Sequence, residues 1–328
     1  MEQLDSFFLK KHYDLVLSEN DKLQKLNEII DWEMFRPILG TLYHNSTAKG
    51  GRPNIDEVVM IKIVTLQTMY NLSDQALEYA LNDRISFRVF IGLDQKVPDY
   101  TTIWRFKERI AAHGMDKKLH QEFLRQINEK GYSFQKGVLQ DATFIESDIG
   151  KNRQAKERKK RRRGKKIKLS SKQKSHIDKD ATFSRKGNKS YHGYKLHIKT
   201  DIDHGFIQEY DTTTASLHDN QIDLVKEGDN MAARDKGYFG VPLRAQGVRD
   251  YTMQRAVRGR PLTEKEKWRN AIISKVRVLV ERPFAVIKRV FGRERTRVKR
   301  LNRVHVQQFF NCFSFNLLNL VYWESKSG

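Results

Sequence analysis

Three acidic side chains of a strongly basic sequence have the residue types and settings from which a metal site could be built. Asp141 lies inside the β-forming run GVLQDATFIESD, Asp235 ends a short apolar run in NMAARDKGYFG, and Glu281 lies in SKVRVLVERPFAVIK. An aspartate within a buried strand is disfavoured by β propensity and by desolvation, so Asp141 points to a function. Carboxylate oxygens suit hard cations such as Mg²⁺, and two such ions about 3.5–4 Å apart support phosphoryl transfer.

Two of these acids also have a plain structural interpretation. Asp235, taken alone, is ordinary turn chemistry before a glycine. Glu281 follows Arg277 by four residues, so the two could form a weak salt bridge on the surface of a helix. Lys288 lies seven residues further along and shares that face.

The charge balance predicts a polyanionic partner. The 328 residues include 62 Lys+Arg against 40 Asp+Glu, which gives a net charge of +22 and a pI near 9.9. Nucleic acid is preferred to an anionic membrane surface, because no apolar run approaches the roughly 20 residues of a spanning helix. The N-terminus lacks the pattern of a signal peptide. Arg234 and Lys236, which flank Asp235, could face phosphates while Asp235 held a metal ion.

The single cysteine excludes two classes of site, and its neighbours predict where it lies. Cys312 excludes an internal disulfide and a cysteine-based zinc cluster. Its neighbours in FFNCFSFNLL are apolar, so we expect an inert thiol in a core of phenylalanines.

Residues 1 to about 130 have the apolar periodicity of consecutive helices. The predicted N-caps are Asp56, Ser73 or Asp74, and Asp99 or Thr101. In the last of these helices Ile103, Phe106 and Ile110 form an apolar stripe, and Trp104 is expected in the core. Arg105 and Lys107 favour a helix-turn-helix-like module that binds DNA. The alternative is a helical bundle whose charges form a solvated face.

The remainder, residues 131–328, alternates like a sheet and then ends in long helices. Five strands are predicted: GVLQDATFIESD, SYHGYKLHIKTDID, GFIQEYDTTTA, a short strand ending at Asp235, and DYTMQRAV. A helix is predicted in LHDNQIDLVKEG, between the third and fourth strands. A basic run at 151–175, which includes Arg161, Arg162 and Arg163, is expected to be a DNA-binding arm, with a solvated loop as the alternative.

Taken together, these motifs resemble those of bacterial insertion-sequence transposases of the DDE type. LQDATFIES is similar to the first catalytic motif, ARDKGYFG to the second, and GGRPNIDEVVMIKIVTLQTMYNLSDQALEYAL to the helical N-terminal domain. The third motif of the family is Tyr, two residues, Arg, three, Glu, six, Lys, and Arg277, Glu281 and Lys288 hold its last three places. Ser274 replaces the tyrosine. The resemblance implies a ribonuclease-H-like mixed five-stranded sheet flanked by helices, preceded by an all-α N-terminal domain.

The resemblance also implies a reaction and its residues. Asp141, Asp235 and Glu281 would be catalytic ligands of Mg²⁺, with Mn²⁺ as a substitute, in the cleavage of insertion-element ends and strand transfer by a 3′-hydroxyl. The segment ASLHDNQ would bring His218 and Asp219 near the site. The residues expected to contact DNA are Arg277, Lys288, Lys236, Arg105, Lys107, Arg161, Arg162 and Arg163.

The implied partners are double-stranded DNA of the terminal inverted repeats and of the target, with no membrane and a DNA-induced homodimer. The implied location is the cytoplasm, in association with the nucleoid. The main alternative is a nonenzymatic or degenerate DNA-binding protein of the repressor kind. An RNA-binding protein and a ribonuclease-H-like nuclease without strand transfer are further alternatives.

Overall fold

The computed structural model describes residues 8–11, 13–15, 21–43, 53–134, 136–147, 164 and 178–327. The chain divides into two compact units, one formed by Met1–Ser133 with Phe309–Gly328 and the other by Phe134–Gln308. The segment Phe309–Gly328 was expected in the second domain, but it belongs to the first unit. The predicted DNA-binding arm, with Arg161, Arg162 and Arg163, lies outside the described residues.

The first unit is helical, as predicted. Its helices are α1 (Lys22–Ile29), α2 (Arg36–Gly40), α3 (Glu57–Met69), α4 (Asp74–Asp83), α5 (Ile85–Ile91), α6 (Tyr100–His113) and α7 (Asp116–Glu129), with a 3₁₀ turn at Trp32–Phe35. Three of the predicted N-caps are present: Asp56 accepts hydrogen bonds from the Val58 and Val59 amides, Ser73 from the Ala76 amide and Asp99 from the Thr102 amide. Each such cap stabilises its helix by about 1 kcal/mol.

Aromatic side chains form much of the core of this unit. Phe313 packs against Trp32, Phe35 and Phe123, with ring centroids 5.1–6.3 Å apart. Edge-to-face pairs of this kind stabilise by about 0.5–1.5 kcal/mol beyond their buried area. Cys312 is buried beside them, and burial raises the pKa of its thiol, so the prediction of an inert core cysteine is confirmed.

The second unit contains the predicted mixed sheet with helices on it. Its elements are β1 (Val138–Ser147), β2 (Thr182–Lys186), β3 (Lys189–Asp201), β4 (Ile207–Thr214), β5 (Met231–Arg234), β6 (Arg249–Thr252), α8 (Glu264–Ala285), a π-helical segment Val286–Val290, β7 (Arg295–Thr296) and α9 (Leu301–Ser327), which continues into the first unit. The five predicted strands are all present, although the fifth ends at Thr252 and does not include MQRAV. The short strands β2 and β7 are additional, and they are too short or too polar to be recognised by alternation.

The sheet divides along one edge of β1, next to Asp141. β3 runs antiparallel to β1 along the whole of its other edge, from Val138 to Glu146. The edge of β1 next to Asp141 pairs in parallel with β5 only at Val138–Gln140 and with β7 only at Glu146–Ser147. The segment between these two pairings has no strand partner there among the described residues. A gap therefore opens beside the middle of β1.

The strand register assigns the side chains of β1 to two faces. Asp141 stands opposite Ile198, while Gln140 stands opposite Lys199 and beside Arg234. Because successive strand residues point to opposite faces, Asp141 and Gln140 lie on different sides of the sheet. The residue after Arg234 is Asp235, which returns to the side of Asp141.

The prediction of a helix in LHDNQIDLVKEG is wrong. Only Asp219–Gln221 forms a 3₁₀ turn, and the chain then continues without regular structure. Two buried cations of β3 hold carboxylates on either side: Lys195 Nζ lies 2.7 Å from Asp219, and Lys199 Nζ lies 3.0 Å from Asp229. The Gln140 amide donates to Ile222 O and accepts from Leu224 N, so it occupies backbone groups that a helix would need. Tertiary contacts override the local preference here.

We expect Gly193→Ala to destabilise the sheet. Gly193 has φ +148°, and an added Cβ would lie 2.2 Å from Ile145 O and 2.6 Å from Ser147 N on β1. Both atoms belong to backbone and cannot yield, so urea denaturation should show a loss of about 2 kcal/mol or more. Gly205→Ala is the control, because Gly205 also has a positive φ of +73° but nothing within 4 Å of the added carbon. Equal losses in the two variants would show that the close approach of β3 to β1 is unimportant.

The buried His197 should make the fold sensitive to acid. Its side chain is fully buried, with Nε2 2.8 Å from Thr213 Oγ1, and desolvation lowers its pKa from 6.5 to about 4. Below pH 6.5 the unfolded chain binds a proton that the folded chain excludes. The stabilisation is therefore complete above pH 6.5 and is lost as the pH falls toward 4, by roughly 3 kcal/mol.

This pH dependence is measured by urea denaturation of His197→Gln, which should lose less stability than the wild type between pH 7 and pH 4.5. His218→Gln, at an exposed histidine, should keep the wild-type profile. Identical profiles for His197→Gln and the wild type would contradict the assignment.

Candidate active site

Asp141 lies beside the gap in the sheet and is largely buried. Its Oδ2 is 2.6 Å from Arg277 Nη2, and its Oδ1 accepts a hydrogen bond of 2.8 Å from the Ala142 amide. Burial raises the pKa of the Asp141 carboxyl and the negative charge of Asp235 raises it further, while the Arg277 guanidinium and the Ala142 amide oppose this rise. Arg277 is therefore the main group that favours the ionised carboxylate.

Asp235 approaches the same guanidinium. Its Oδ2 lies 4.0 Å from Arg277 Nη2, and its side chain is 40% exposed. The two carboxylates thus converge on one cation from two strands, one from the middle of β1 and the other just beyond the end of β5. The prediction that Asp141 and Asp235 lie together agrees with these distances.

The position of Arg277 depends on α8. This 22-residue helix starts with a capping box in which Thr263 and Glu266 exchange side-chain and backbone hydrogen bonds. Asn270 donates to Gln254 O and accepts from Gln254 N, both at 2.9 Å, so the helix is fixed just beyond β6. Arg277 follows two turns later, above the strands that carry the two aspartates.

Glu281 remains apart from this pair. It is exposed on α8, and Arg277 pairs with Asp141 rather than with Glu281, so the alternative of an Arg277–Glu281 surface salt bridge is not what the structure contains. Within the described residues, no three His, Cys, Asp or Glu side chains lie close enough together to hold a metal ion. Participation of Glu281 stays a prediction.

Lys288 lies in an irregular part of the same helix. Pro283 interrupts the hydrogen bonds of α8, and Val286–Val290 continues as a π-helix. π-Helical turns are rare and frequently occur at functional sites. Lys288 is half-buried, and burial lowers the pKa of its ammonium group.

Tyr238 is a buried residue next to Asp235 that sequence reasoning did not single out. It is buried within a 3₁₀ turn that directly follows Asp235, with the Arg234 guanidinium carbon 5.6 Å from its ring. Burial raises the pKa of the Tyr238 hydroxyl, and the charges of Asp141 and Asp219 raise it further, so both carboxylates lie near it. The aromatic residue three positions after Asp235 was the available signal.

The predicted neighbours His218 and Asp219 differ in their surroundings. Asp219 is held by the buried Lys195 and is one of the charges that act on Tyr238. His218 is exposed, and its Nδ1 lies 2.8 Å from Asn220 Oδ1 at the start of the 3₁₀ turn.

The cations predicted to face phosphates have different environments. Arg234 is buried and bonds to Thr252 Oγ1, Val241 O and Asp250, so the expectation that it faces phosphate is wrong. It instead joins β5 to β6 on the face opposite Asp235. Lys236 is exposed.

In the helical unit, Arg105 is exposed but Lys107 is engaged with Asp74 and with Gln67 Oε1 at 3.0 Å. Trp104 was expected in the core but is 46% exposed, because the buried stripe of α6 runs along Ile103, Phe106 and Ile110. The side of α6 that carries Trp104 and Arg105 thus faces solvent. Its contact with DNA stays a prediction.

Comparison with known proteins agrees with this architecture. The sequence profile described as "Transposase DDE domain" matches residues 132–317, which is more than half of the 328-residue chain. The chain belongs to the transposase DDE domain family. A second profile, "Transposase domain (DUF772)", matches residues 11–109 in the helical unit. No solved structure matched the chain. Membership confirms the recognition made from the motifs and makes DNA the substrate of the family.

Two observations bear on a metal ion, since DDE domains generally use divalent cations. The carboxylates of Asp141 and Asp235 already surround a cationic group, the Arg277 guanidinium. Their oxygen atoms are the donors that hard divalent ions prefer. These two residues therefore fit a divalent cation.

No helix among the described residues is long and apolar enough to cross a membrane.

We expect Arg277→Met to lose about 1–3 kcal/mol of stability, because two neighbouring carboxylates, one of them largely buried, lose their counter-charge. Mg²⁺ should then raise the melting temperature of this variant more than that of the wild type, since a cation is missing. Differential scanning fluorimetry with and without Mg²⁺ measures both effects. An equal Mg²⁺ response would contradict the view that the two carboxylates attract a common cation. Arg269→Met, at another cation of α8, is the control.

Proposed function

We propose that this family member is a DNA transposase that cleaves the ends of an insertion element and joins a freed 3′-hydroxyl to target DNA. The observation that carries the proposal is the convergence of Asp141 and Asp235 at the divided edge of a ribonuclease-H-like sheet. Terminal inverted repeats, a DNA-induced dimer and association with the nucleoid are parts of the same proposal.

Asp141 and Asp235 would hold Mg²⁺, or Mn²⁺ in its place, with Glu281 as a further ligand. When bound, the metal supplies charge stabilisation for the attacking and leaving oxygens of a phosphodiester. Glu281 lies one helical turn beyond Arg277, on the same face of α8, which supports this role.

The side chains of the chain itself would contribute binding and orientation. Arg277 favours the ionised form of Asp141 and fixes one of its oxygens. Lys236, next to Asp235 and exposed, would contact the DNA backbone, and Lys288 would do so from the other end of the helical segment. Tyr238 would form a rigid wall behind both carboxylates.

The test is metal-dependent cleavage of a duplex that carries the DNA flanking the coding region of this chain. We expect cleavage with Mg²⁺ or Mn²⁺, and a loss of about 100-fold or more in Asp235→Asn, because the variant keeps the side-chain size but lacks the charge that holds the cation. DNA binding, measured by fluorescence anisotropy, should be retained. A gel-based cleavage assay reports the rate.

Asp203→Asn is the matched control, since Asp203 lies in the turn between β3 and β4 of the same unit and pairs with Lys136 at 2.6 Å. It should cleave like the wild type. If the wild type binds the DNA without cutting it under any of these metals, the repressor-like alternative replaces the proposal.

A further inference from the structure

The β2–β3 hairpin presents cations that no predicted role has used. Lys186 pairs with Lys189 across a two-residue turn formed by Gly187 and Asn188, with Gly187 at φ +59°. Arg185 and both lysines are exposed. A tight turn of this kind places the two lysines opposite each other on neighbouring strand ends.

The hairpin is attached firmly to β1, the strand that carries Asp141. The rings of Phe144 and Tyr191 stack with centroids 4.2 Å apart and planes within 4°. Two positions beyond Tyr191, Gly193 touches the β1 backbone so closely that no side chain fits. Phe144 lies three residues from Asp141 and therefore on the opposite face of β1, so the ring stack fixes the hairpin to the strand itself. The hairpin is thus held on the strand that carries Asp141.

Lys288 adds a third cation to the same place. Arg293 N donates to Ile287 O at 3.0 Å, and Glu146 N donates to Glu294 O at 2.9 Å, so the segment that carries Lys288 meets β1 at Glu146. The charges of Lys186 and Lys189 lower the pKa of Lys288, after burial, in agreement with this placement. Among the described residues, neither Lys186 nor Lys288 has a carboxylate within salt-bridge distance. Lys189 shares Glu146 with Arg295, at 3.5 and 3.2 Å. Positive charge is therefore concentrated here without enough acid to balance it.

We propose that Lys186, Lys189 and Lys288 form a phosphate-binding cluster that holds the DNA backbone at the Glu146 end of β1, the strand that carries Asp141. Like charges held this close together raise the free energy of the unbound protein, and a polyanion relieves the repulsion. Lysine suits this task because its ammonium group is a compact point charge that binds phosphate without a fixed geometry. The proposal rests on the proposed function, since it takes DNA as the substrate.

The experiment compares Lys186→Gln/Lys189→Gln with the wild type in binding a short duplex of mixed sequence. Fluorescence anisotropy is measured over a range of NaCl concentrations in Ca²⁺, so that binding is read without cleavage. Each lysine that contacts a phosphate contributes about 0.9 to the slope of log affinity against log salt. We expect the slope of the double variant to be smaller by nearly two. Lys186→Arg/Lys189→Arg should restore it.

Lys117→Gln/Lys118→Gln is the matched control, because it removes the same charge from two exposed lysines on α7. A smaller slope in the hairpin variant alone supports the cluster, whether or not the wild type cuts DNA. Equal slopes in the hairpin variant and the wild type overturn it, even if cleavage is normal. Equal reductions in the hairpin and control variants also overturn it, because they reflect net charge alone. A melting temperature close to that of the wild type shows that the hairpin variant is folded.

Discussion

The contact of Arg277 with Asp141 is the interaction on which the site depends. Two carboxylates near each other, with one largely buried, cannot both stay ionised unless a cation is close. That cation comes from α8 rather than from the sheet, so the placement of this helix governs the pKa of the Asp141 carboxyl on β1. The hydrogen bonds between Asn270 and Gln254 set that placement. A shift of α8 would therefore disturb the site without moving either strand.

Pairs of opposite charge also position the chain on the opposite face of the sheet, but there the strands supply the cations. There the sheet supplies the buried cations Lys195, Lys199 and Arg234, and the irregular segments supply the carboxylates Asp219, Asp229 and Asp250. An unpaired buried cation would cost several kcal/mol, so each pair fixes a point of the following loop. The chain between β4 and β6 is positioned by these pairs rather than by a helix. Asp219 is thereby held near Tyr238 behind the site.

The sequence predicts those structural features that depend on interactions between residues close together in the chain. Asp56, Ser73 and Asp99 cap helices because their side chains bond to amides two or three residues away. Asp141 stands out because a strand rarely contains a buried acid. Interactions between distant residues were not visible: DNQIDLVKEG has the composition of a helix, yet Lys195, some two dozen residues earlier, holds its aspartate. For the same reason Lys107 could not be seen to pair with Asp74.

The three acids proposed for the site differ in how firmly the fold holds them. Asp141 is largely buried and fixed by two contacts, and Asp235 is half-exposed at a strand end. Glu281 is exposed, just before Pro283 and the π-helical segment interrupt α8. A buried charge requires exact placement, because misplacement leaves it without a partner. An exposed acid near an irregular turn can adjust at little cost. The fold thus fixes Asp141 and, less firmly, Asp235, whereas Glu281 on the solvent-facing part of α8 can still change its position.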